Sequence, residues 1–212
     1  MSSIRVVLVD DHAVVRSGYR RLIELEEHMT VLAEFAEGEA AYAWLAAQAA
    51  DVLVLDLSMP GRGGLDTLAR LKQRQPELRV LVFSMHDSAA MVTQALRAGA
   101  DGYLTKSSAP QLLIEAIARV HGGERVLSDD VRAHAASATV GAEDAPHEQL
   151  TPREFEIFRR LAQGMPVETI AETLCLSAKT VANYQSAIRQ KLGVESAVDL
   201  LRLARRHGLD EG

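Results

Sequence analysis

The chain has a single cysteine, Cys175, so no disulfide can form within it. Aromatic residues are also scarce, at 4% with one tryptophan, and they are scattered. That argues against an aromatic-lined pocket for a small organic ligand. No apolar run approaches the ~20 residues that a membrane-spanning helix needs. The start, Met1-Ser2-Ser3-Ile4-Arg5, lacks the n-region and h-region of a signal peptide. A disulfide scaffold and a membrane protein are disfavoured, and a cytoplasmic location is expected. Cys175, between Leu174 and Leu176, reads as a small buried apolar group.

The 212 residues suit two small domains better than one large one. With 48% hydrophobic and 25% charged residues, the composition is that of a globular protein. The net charge of −6 is uneven. Residues 1–127 hold 16 acids and 13 bases, net −3; residues 128–149 hold five acids and Arg132, net −4; residues 150–212 hold eight acids and nine bases, net +1. Within that last part, residues 177–191 contain Lys179, Arg189 and Lys191 and no acid, a modest basic footprint on one candidate helix.

In the first part, apolar runs alternate with helical patterns. Residues 4–9, 31–35, 52–55, 80–83 and 102–104 read as five strands, with helices over 14–25, 39–47, 64–74, 89–98 and 110–121, the last capped by Ser108. Strict alternation predicts an α/β fold, a doubly wound five-stranded parallel sheet with helices on both faces. Residues 125–148 have the composition of a linker, in which residues 129–136 begin a short helix. From residue 149 the pattern is all-helical, four short helices. Thr151-Pro152-Arg153-Glu154 and Ser196-Ala197-Val198-Asp199 are capping boxes, Ser177 caps a third helix, and the tight connection through Cys175-Leu176-Ser177 makes a helix-turn-helix. The expected division is 1–124, 125–148 and 149–212.

The stretch "DVLVLDLSMPGRGG", residues 51–64, carries Asp56 out of a buried apolar strand into a Pro-Gly loop. That sets its carboxylate at the carboxyl edge of the sheet, where open α/β sheets bind ligands. Asp10 and Asp11 end the first strand in the same way, Ser84 ends the fourth and Lys106 follows the fifth. Three crowded carboxylates repel one another unless a cation holds them, and an all-oxygen set suits Mg²⁺. An aspartate nucleophile, a metal, a hydroxyl and an ammonium together make a phosphoryl-transfer site.

Six motifs carry a resemblance across nearly the whole chain: "VVLVDDHAVVRSG", "DVLVLDLSMPGRGGLD", "VLVFSMHD", "ALRAGADGYLTKSS", "LTPREFEIFRRLAQG" and "LSAKTVANYQSAIRQKLGV". Residues 4–121 resemble a flavodoxin-like two-component receiver domain and 150–209 a LuxR-type helix-turn-helix. Together they resemble a response regulator of the NarL/FixJ family, similar in sub-type to the hexose-phosphate-uptake regulators. The resemblance implies that Asp56 accepts a phosphoryl group from a sensor histidine kinase. It implies that Asp11, with Asp10 acting through water, binds Mg²⁺ beside Asp56 and the backbone carbonyl of Ser58. Lys106 and Ser84 would meet the phosphoryl oxygens, and Tyr103 would be the aromatic that rotates inward. Ser58 and His86 lie near enough to tune the lifetime of the phosphoryl group. The protein is then no enzyme but a phosphorylation-switched transcription regulator, which at most removes its own phosphoryl group slowly.

The third C-terminal helix would enter the major groove of promoter DNA. Lys179, Thr180, Arg189 and Lys191 suit phosphates, Asn183 suits adenine, Ser186 is less selective, and Ala182 could touch a thymine methyl. Tyr184 falls on the apolar face. Ala182, Tyr184 and Ser186 stand where the family often carries basic residues or histidine, so a single half-site should bind weakly. The last helix offers a dimer face of Val198, Leu201, Ala204 and Arg205, with Leu200 and Leu203 inward. On the family's pattern, the unphosphorylated receiver covers the recognition helix and phosphorylation releases it to form a homodimer; RNA polymerase is a further expected partner. Two rivals are weaker. A haloacid-dehalogenase-like phosphatase wants an acid two residues after its nucleophile, where this chain has Ser58, and a ligand-switched regulator wants the aromatic pocket that is absent. A receiver used as a constitutive docking module is disfavoured by the complete pocket.

Overall fold

Val52–Leu55 has every side chain buried because helices cover both faces of the sheet it sits in. The computed structural model describes residues 3–59, 61, 63–133, 146–207 and 209. Its first part runs β1 (Ile4–Val9), α1 (Ala13–Glu24), β2 (Met29–Phe35), α2 (Gly38–Leu45), β3 (Val52–Leu55), α3 (Gly64–Arg74), β4 (Arg79–Ser84), α4 (Ala89–Arg97), β5 (Gly102–Thr105), α5 (Pro110–His121) and β6 (Val126–Leu127). The strands are parallel in the order β2-β1-β3-β4-β5-β6. The order reverses between β1 and β3, which opens a crevice at their carboxyl ends. Val7, Val9, Leu53 and Leu55 face α2, α3 and α4, while Val6, Leu8, Val52 and Val54 face Ile23 of α1 and Ile117 and Val120 of α5.

Among the described residues the sheet has six strands, not the expected five. Val126 and Leu127, read as linker, pair with Gly102 and Tyr103. Gly102 makes room for them: a Cβ there would lie 3.0 Å from the Val126 carbonyl oxygen. Helix α5 begins after Ala109, not Ser108, with no side-chain cap. Residues 129–133 are helical; the rest of the short helix expected to 136, and the linker core at 134–145, lie outside the described residues.

The second part comprises a 3₁₀ turn (Pro146–Gln149), α6 (Pro152–Ala162), α7 (Val167–Thr173), α8 (Ala178–Leu192) and α9 (Ala197–Arg206). The capping box of α6 forms in both directions between Thr151 and Glu154. Ser177 and Ser196 accept from the amides three residues on. Phe155, Ile157 and Phe158 of α6, Ile170 of α7, Val181 and Ile188 of α8 and Leu200, Leu203 and Ala204 of α9 form the core. Among the described residues, no helix is long and apolar enough to cross a membrane.

His147 in the 3₁₀ turn is 4% exposed, between the rings of Phe155 and His207, whose centroids lie 6.2 and 4.7 Å away. Among the described residues its Nδ1 has no hydrogen-bond partner. Burial, then the neighbouring His207 and Arg97, push its pKa down to about 4. The folded state therefore binds fewer protons than the unfolded chain, whose histidine titrates near ~6.5. Stability present above that value is lost as the pH falls toward 4. The expected loss across this window is about 2 kcal/mol, after discounting for solvent screening. His147→Phe should flatten it in urea unfolding followed from pH 7 to pH 4.5. An unchanged slope would show that His147 does not set the acid limit.

Candidate functional site

Parallel pairing of Val9 with Leu55 brings the ends of β1 and β3 side by side, and the Asp56 amide donates to the Val9 carbonyl at 2.9 Å. Asp10 and Asp56 follow directly and are 7% and 1% exposed. Two buried carboxylates require a counter-charge. Lys106, just past β5, supplies it: Nζ lies 2.6 Å from Asp10 Oδ2 and 2.6 Å from Asp56 Oδ2. Burial alone would lower the Lys106 pKa, but its hydrogen bonds to Asp10 and Asp56 outweigh this and hold it above the ordinary lysine value. A raised lysine pKa leaves this pairing intact through neutral pH and loses it only on the alkaline side.

The second oxygen of Asp56, Oδ1, accepts the Ser58 amide at 3.0 Å, and Asp10 Oδ1 accepts that of His12 at 2.8 Å. Ser84, fully buried, sits with its Oγ 3.5 Å from Ser58 Oγ. Helix α3 starts so close behind the pocket that a Cβ on Gly64 would lie 2.6 Å from the Asp56 carbonyl oxygen. Tyr103 is already turned inward and fully buried, its hydroxyl donating to the His86 carbonyl at 2.6 Å. Burial pushes its phenol pKa up. The pocket residues expected from the sequence thus converge on one edge, as expected for a site at strand ends.

Asp10, Asp11, His12 and Asp56 each offer an atom within 4.8 Å of the others. Asp11 Oδ1 is buried and lies 2.8 Å from His12 Nδ1, yet among the described residues it has no hydrogen-bond partner. An orphaned carboxylate oxygen beside two more carboxylates is the donor set of a hard divalent cation. His12 was not anticipated; it follows the acid pair as N-cap of α1.

In the helix-turn-helix, Cys175 is exposed rather than buried. Helix α7 closes with Leu176 N–H bonded to the Ala171 carbonyl, which requires Cys175 in the left-handed region at φ 52°. Its side chain therefore turns outward. On α8, Lys179, Ala182, Asn183, Ser186 and Lys191 are exposed, and Thr180 and Arg189 are half-buried. Thr180 is engaged with the Ser177 cap, and Ser186 Oγ donates back to the Ala182 carbonyl. Lys191 bonds Glu154 Oε2 on α6 at 2.7 Å. Among the described residues, the receiver does not cover the exposed face of α8. The receiver meets, among these residues, α6 and the 3₁₀ turn through α3 and α4 and α7 through the Gly61–Thr173 hydrogen bond, because the apolar side of α8 is already spent on α6 and α7. On α9, Val198 is 55% exposed, Arg205 exposed and Leu201 half-buried, whereas Ala204 is fully buried and drops out of the proposed stripe.

A doubly wound sheet with a lysine-bridged carboxylate cluster at its carboxyl edge, joined to a helix-turn-helix, defines a receiver-type regulator of DNA. Residues 6–118 match the response regulator receiver domain, and residues 148–204 match the bacterial regulatory proteins of the luxR family. The chain belongs to the NarL/FixJ family of two-component response regulators. It is 36% identical over 208 residues to the response regulator UvrY of Escherichia coli (strain K12), covering 97% of this chain and 95% of that one. It is 41% identical over 199 residues to the transcriptional regulatory protein UhpA of the same strain, covering 94% and 96%, in line with the resemblance to hexose-phosphate-uptake regulators. Among solved structures, RcsB from Salmonella enterica serovar Typhimurium, bound to a promoter in the presence of the phosphomimetic BeF₃⁻, aligns with a TM-score of 0.69 at 31% identity, over 95% of this chain and 98% of that one. This chain is accordingly a DNA-binding transcription regulator with a receiver domain.

Proposed function

We propose that Asp56 takes the phosphoryl group and that this switches promoter binding by the C-terminal domain, with the division falling at residues 124 and 149. The observation that carries the reading is Lys106 Nζ bridging Asp10 and Asp56 at 2.6 Å each. A carboxylate oxygen of Asp56 attacks phosphorus, the donor's bond to phosphorus breaks with its electron pair leaving on the donor, and an acyl phosphate remains. Asp56 exchanges one negative charge for roughly two, with three acceptor oxygens. Lys106 then pairs with them and Ser84 Oγ donates to one. Mg²⁺, held by Asp10, Asp11, Asp56 and the Ser58 carbonyl, would supply charge neutralisation for the incoming phosphoryl group. The test is incubation with acetyl phosphate and Mg²⁺. One acid-stable, alkali-labile phosphoryl group should be incorporated, and none with a chelator; no incorporation would overturn the reading.

The donor in the cell is a sensor histidine kinase. Beside Lys106 runs an open groove lined by Val14, Val15, Gly18, Tyr19, Leu22 and Met85. Val14 and Met85 are 85% and 68% exposed, an apolar face suited to a docking helix.

For DNA, Lys179 holds phosphate and Asn183 reads a base, with Ala182, Ser186 and Arg189 alongside. Thr180 serves the helix cap first, and Lys191 reaches phosphate only by leaving Glu154. Asn183→Ala should lose about 1–3 kcal/mol on the specific site and relax preference at one base pair. Lys179→Ala should weaken all sequences alike and reduce the salt slope by about one unit. Equal losses for Asn183→Ala on specific and random DNA would sink its assignment. Val198, Leu201 and Arg205 form the dimer face, and RNA polymerase is the onward partner on the promoter.

A further inference from the structure

Besides its contacts with α3 and α4, the second domain touches the receiver at the two loops that leave the acidic pocket. Gly61, five residues after Asp56, donates its amide to the Thr173 carbonyl of α7 at 2.9 Å. Gly63, at φ 83°, lies against Glu156 of α6, so that a Cβ there would sit 3.3 Å from that side chain. In the loop after Ser84, His86 Nε2 lies 3.2 Å from Arg159 Nη1 of α6.

His86 is gripped at three points. Its amide donates to Ser84 Oγ at 3.3 Å, its carbonyl accepts the Tyr103 hydroxyl at 2.6 Å, and its ring faces Arg159. A guanidinium has no acceptor, so the imidazole nitrogen must accept and the ring is neutral. Burial, and then the charge of Arg159, push the His86 pKa down, in keeping with that form. Both backbone groups of His86 are therefore held by residues assigned above to the phosphoryl response, while its ring is held by the other domain.

The far side of the contact is poised to part. Glu156, Arg159 and Arg160 are 2%, 9% and 7% exposed, charged groups buried at a domain boundary. Glu156 Oε1 bonds Arg160 and lies 3.7 Å from Arg159 Nη2, yet among the described residues Nε of both buried arginines has no hydrogen-bond partner. Such groups regain hydration when the boundary opens, so the contact holds without being permanent.

We propose that His86 is the residue through which the state of Asp56 reaches the helix-turn-helix domain: its contact with Arg159 latches the two domains, and movement of Ser84 toward a phosphoryl group withdraws His86 from Arg159. The proposal rests on phosphorylation of Asp56. Because α8 stays exposed while the latch is closed, the latch fixes the orientation of the DNA-binding domain and does not hide its reading face. Its release therefore acts on binding to paired half-sites and leaves a single half-site unaffected.

The test uses the full chain without a phosphoryl donor, carrying His86→Ala or Arg159→Leu. Exchange of the Gly61 amide, which reports the Gly61–Thr173 bond across the boundary, should quicken about tenfold. Affinity for paired half-sites should rise by about the same factor, with single half-site binding unchanged. His86→Gln, whose side-chain oxygen can accept from Arg159, should keep the wild-type values. The latch is overturned if both opening variants exchange and bind as wild type, or if single half-site binding rises in step with paired binding. In wild type carrying a measured phosphoryl group, Gly61 exchange should also quicken, and its failure to do so overturns the link from Asp56 to His86. Absence of incorporation overturns the phosphorylation reading instead, and the donor-free arms still decide the contact.

Discussion

Asp56→Asn is expected to abolish phosphoryl uptake from acetyl phosphate, with a loss of about a thousandfold or more in labelling rate. The carboxamide carries no negative charge and is a poor nucleophile. The nearest alternatives are badly placed: Asp10 is tied to Lys106 and to the His12 amide, and Asp11 is partly exposed at the rim. The substitution should not unfold the protein. Asp56 is one of two acids sharing a single lysine, so its neutral replacement leaves Lys106 paired with Asp10 and removes a like-charge neighbour. Thermal unfolding close to wild type, together with lost labelling and lost donor-dependent DNA binding, is the expected set. Labelling at the wild-type rate would move the acceptor elsewhere.

The pocket was legible because its physics is local. An apolar run ending in an acid, twice, and a serine and a lysine after two further strands are patterns within single segments. Strand alternation then places them on one edge. Helix caps were legible for the same reason: Thr151, Ser177 and Ser196 act three residues downstream. Strand β6 was not, since two residues carry no period, and it exists because Gly102 leaves space beside β5. Cys175 misled because its apolar neighbours suggest burial, whereas the turn geometry decides its direction. The domain contact was least legible. Nothing in the sequence singles out Glu156, Arg159 and Arg160, charged types that are rarely buried, and only the tertiary structure buries them against His86 and Gly63. Among the described residues the expected cover over the recognition helix is not seen, as the receiver docks on α6, α7 and the 3₁₀ turn.

That exposed recognition helix sharpens what phosphorylation must accomplish on DNA. Residues 150–212 carry nine bases and eight acids, net +1, and one of the helix's lysines is paired with Glu154. Phosphate contacts supply most non-specific affinity, so a single domain with so little positive charge binds weakly whether or not it is covered. Useful affinity then comes from two domains on one duplex, where the second contact is made at high effective concentration. The surface proposed for pairing lies on α9, where Val198, Leu201 and Arg205 are wholly or partly exposed, while Leu200, Leu203 and Ala204 anchor the helix from behind. The phosphorylated dimer should occupy half-sites whose centres are about 10 bp apart, one helical turn, so that both α8 helices enter the major groove on the same side. Inserting about five base pairs turns one half-site to the opposite side and should cost about a hundredfold in affinity, leaving only single-site binding. Inserting about ten should restore most of it, because the faces realign. A gel-shift series over these spacings, with wild type plus acetyl phosphate and with Asp56→Asn, decides the matter. Equal binding at every spacing, or a binding curve of one protein per duplex throughout, would show that the phosphorylated protein acts as a monomer.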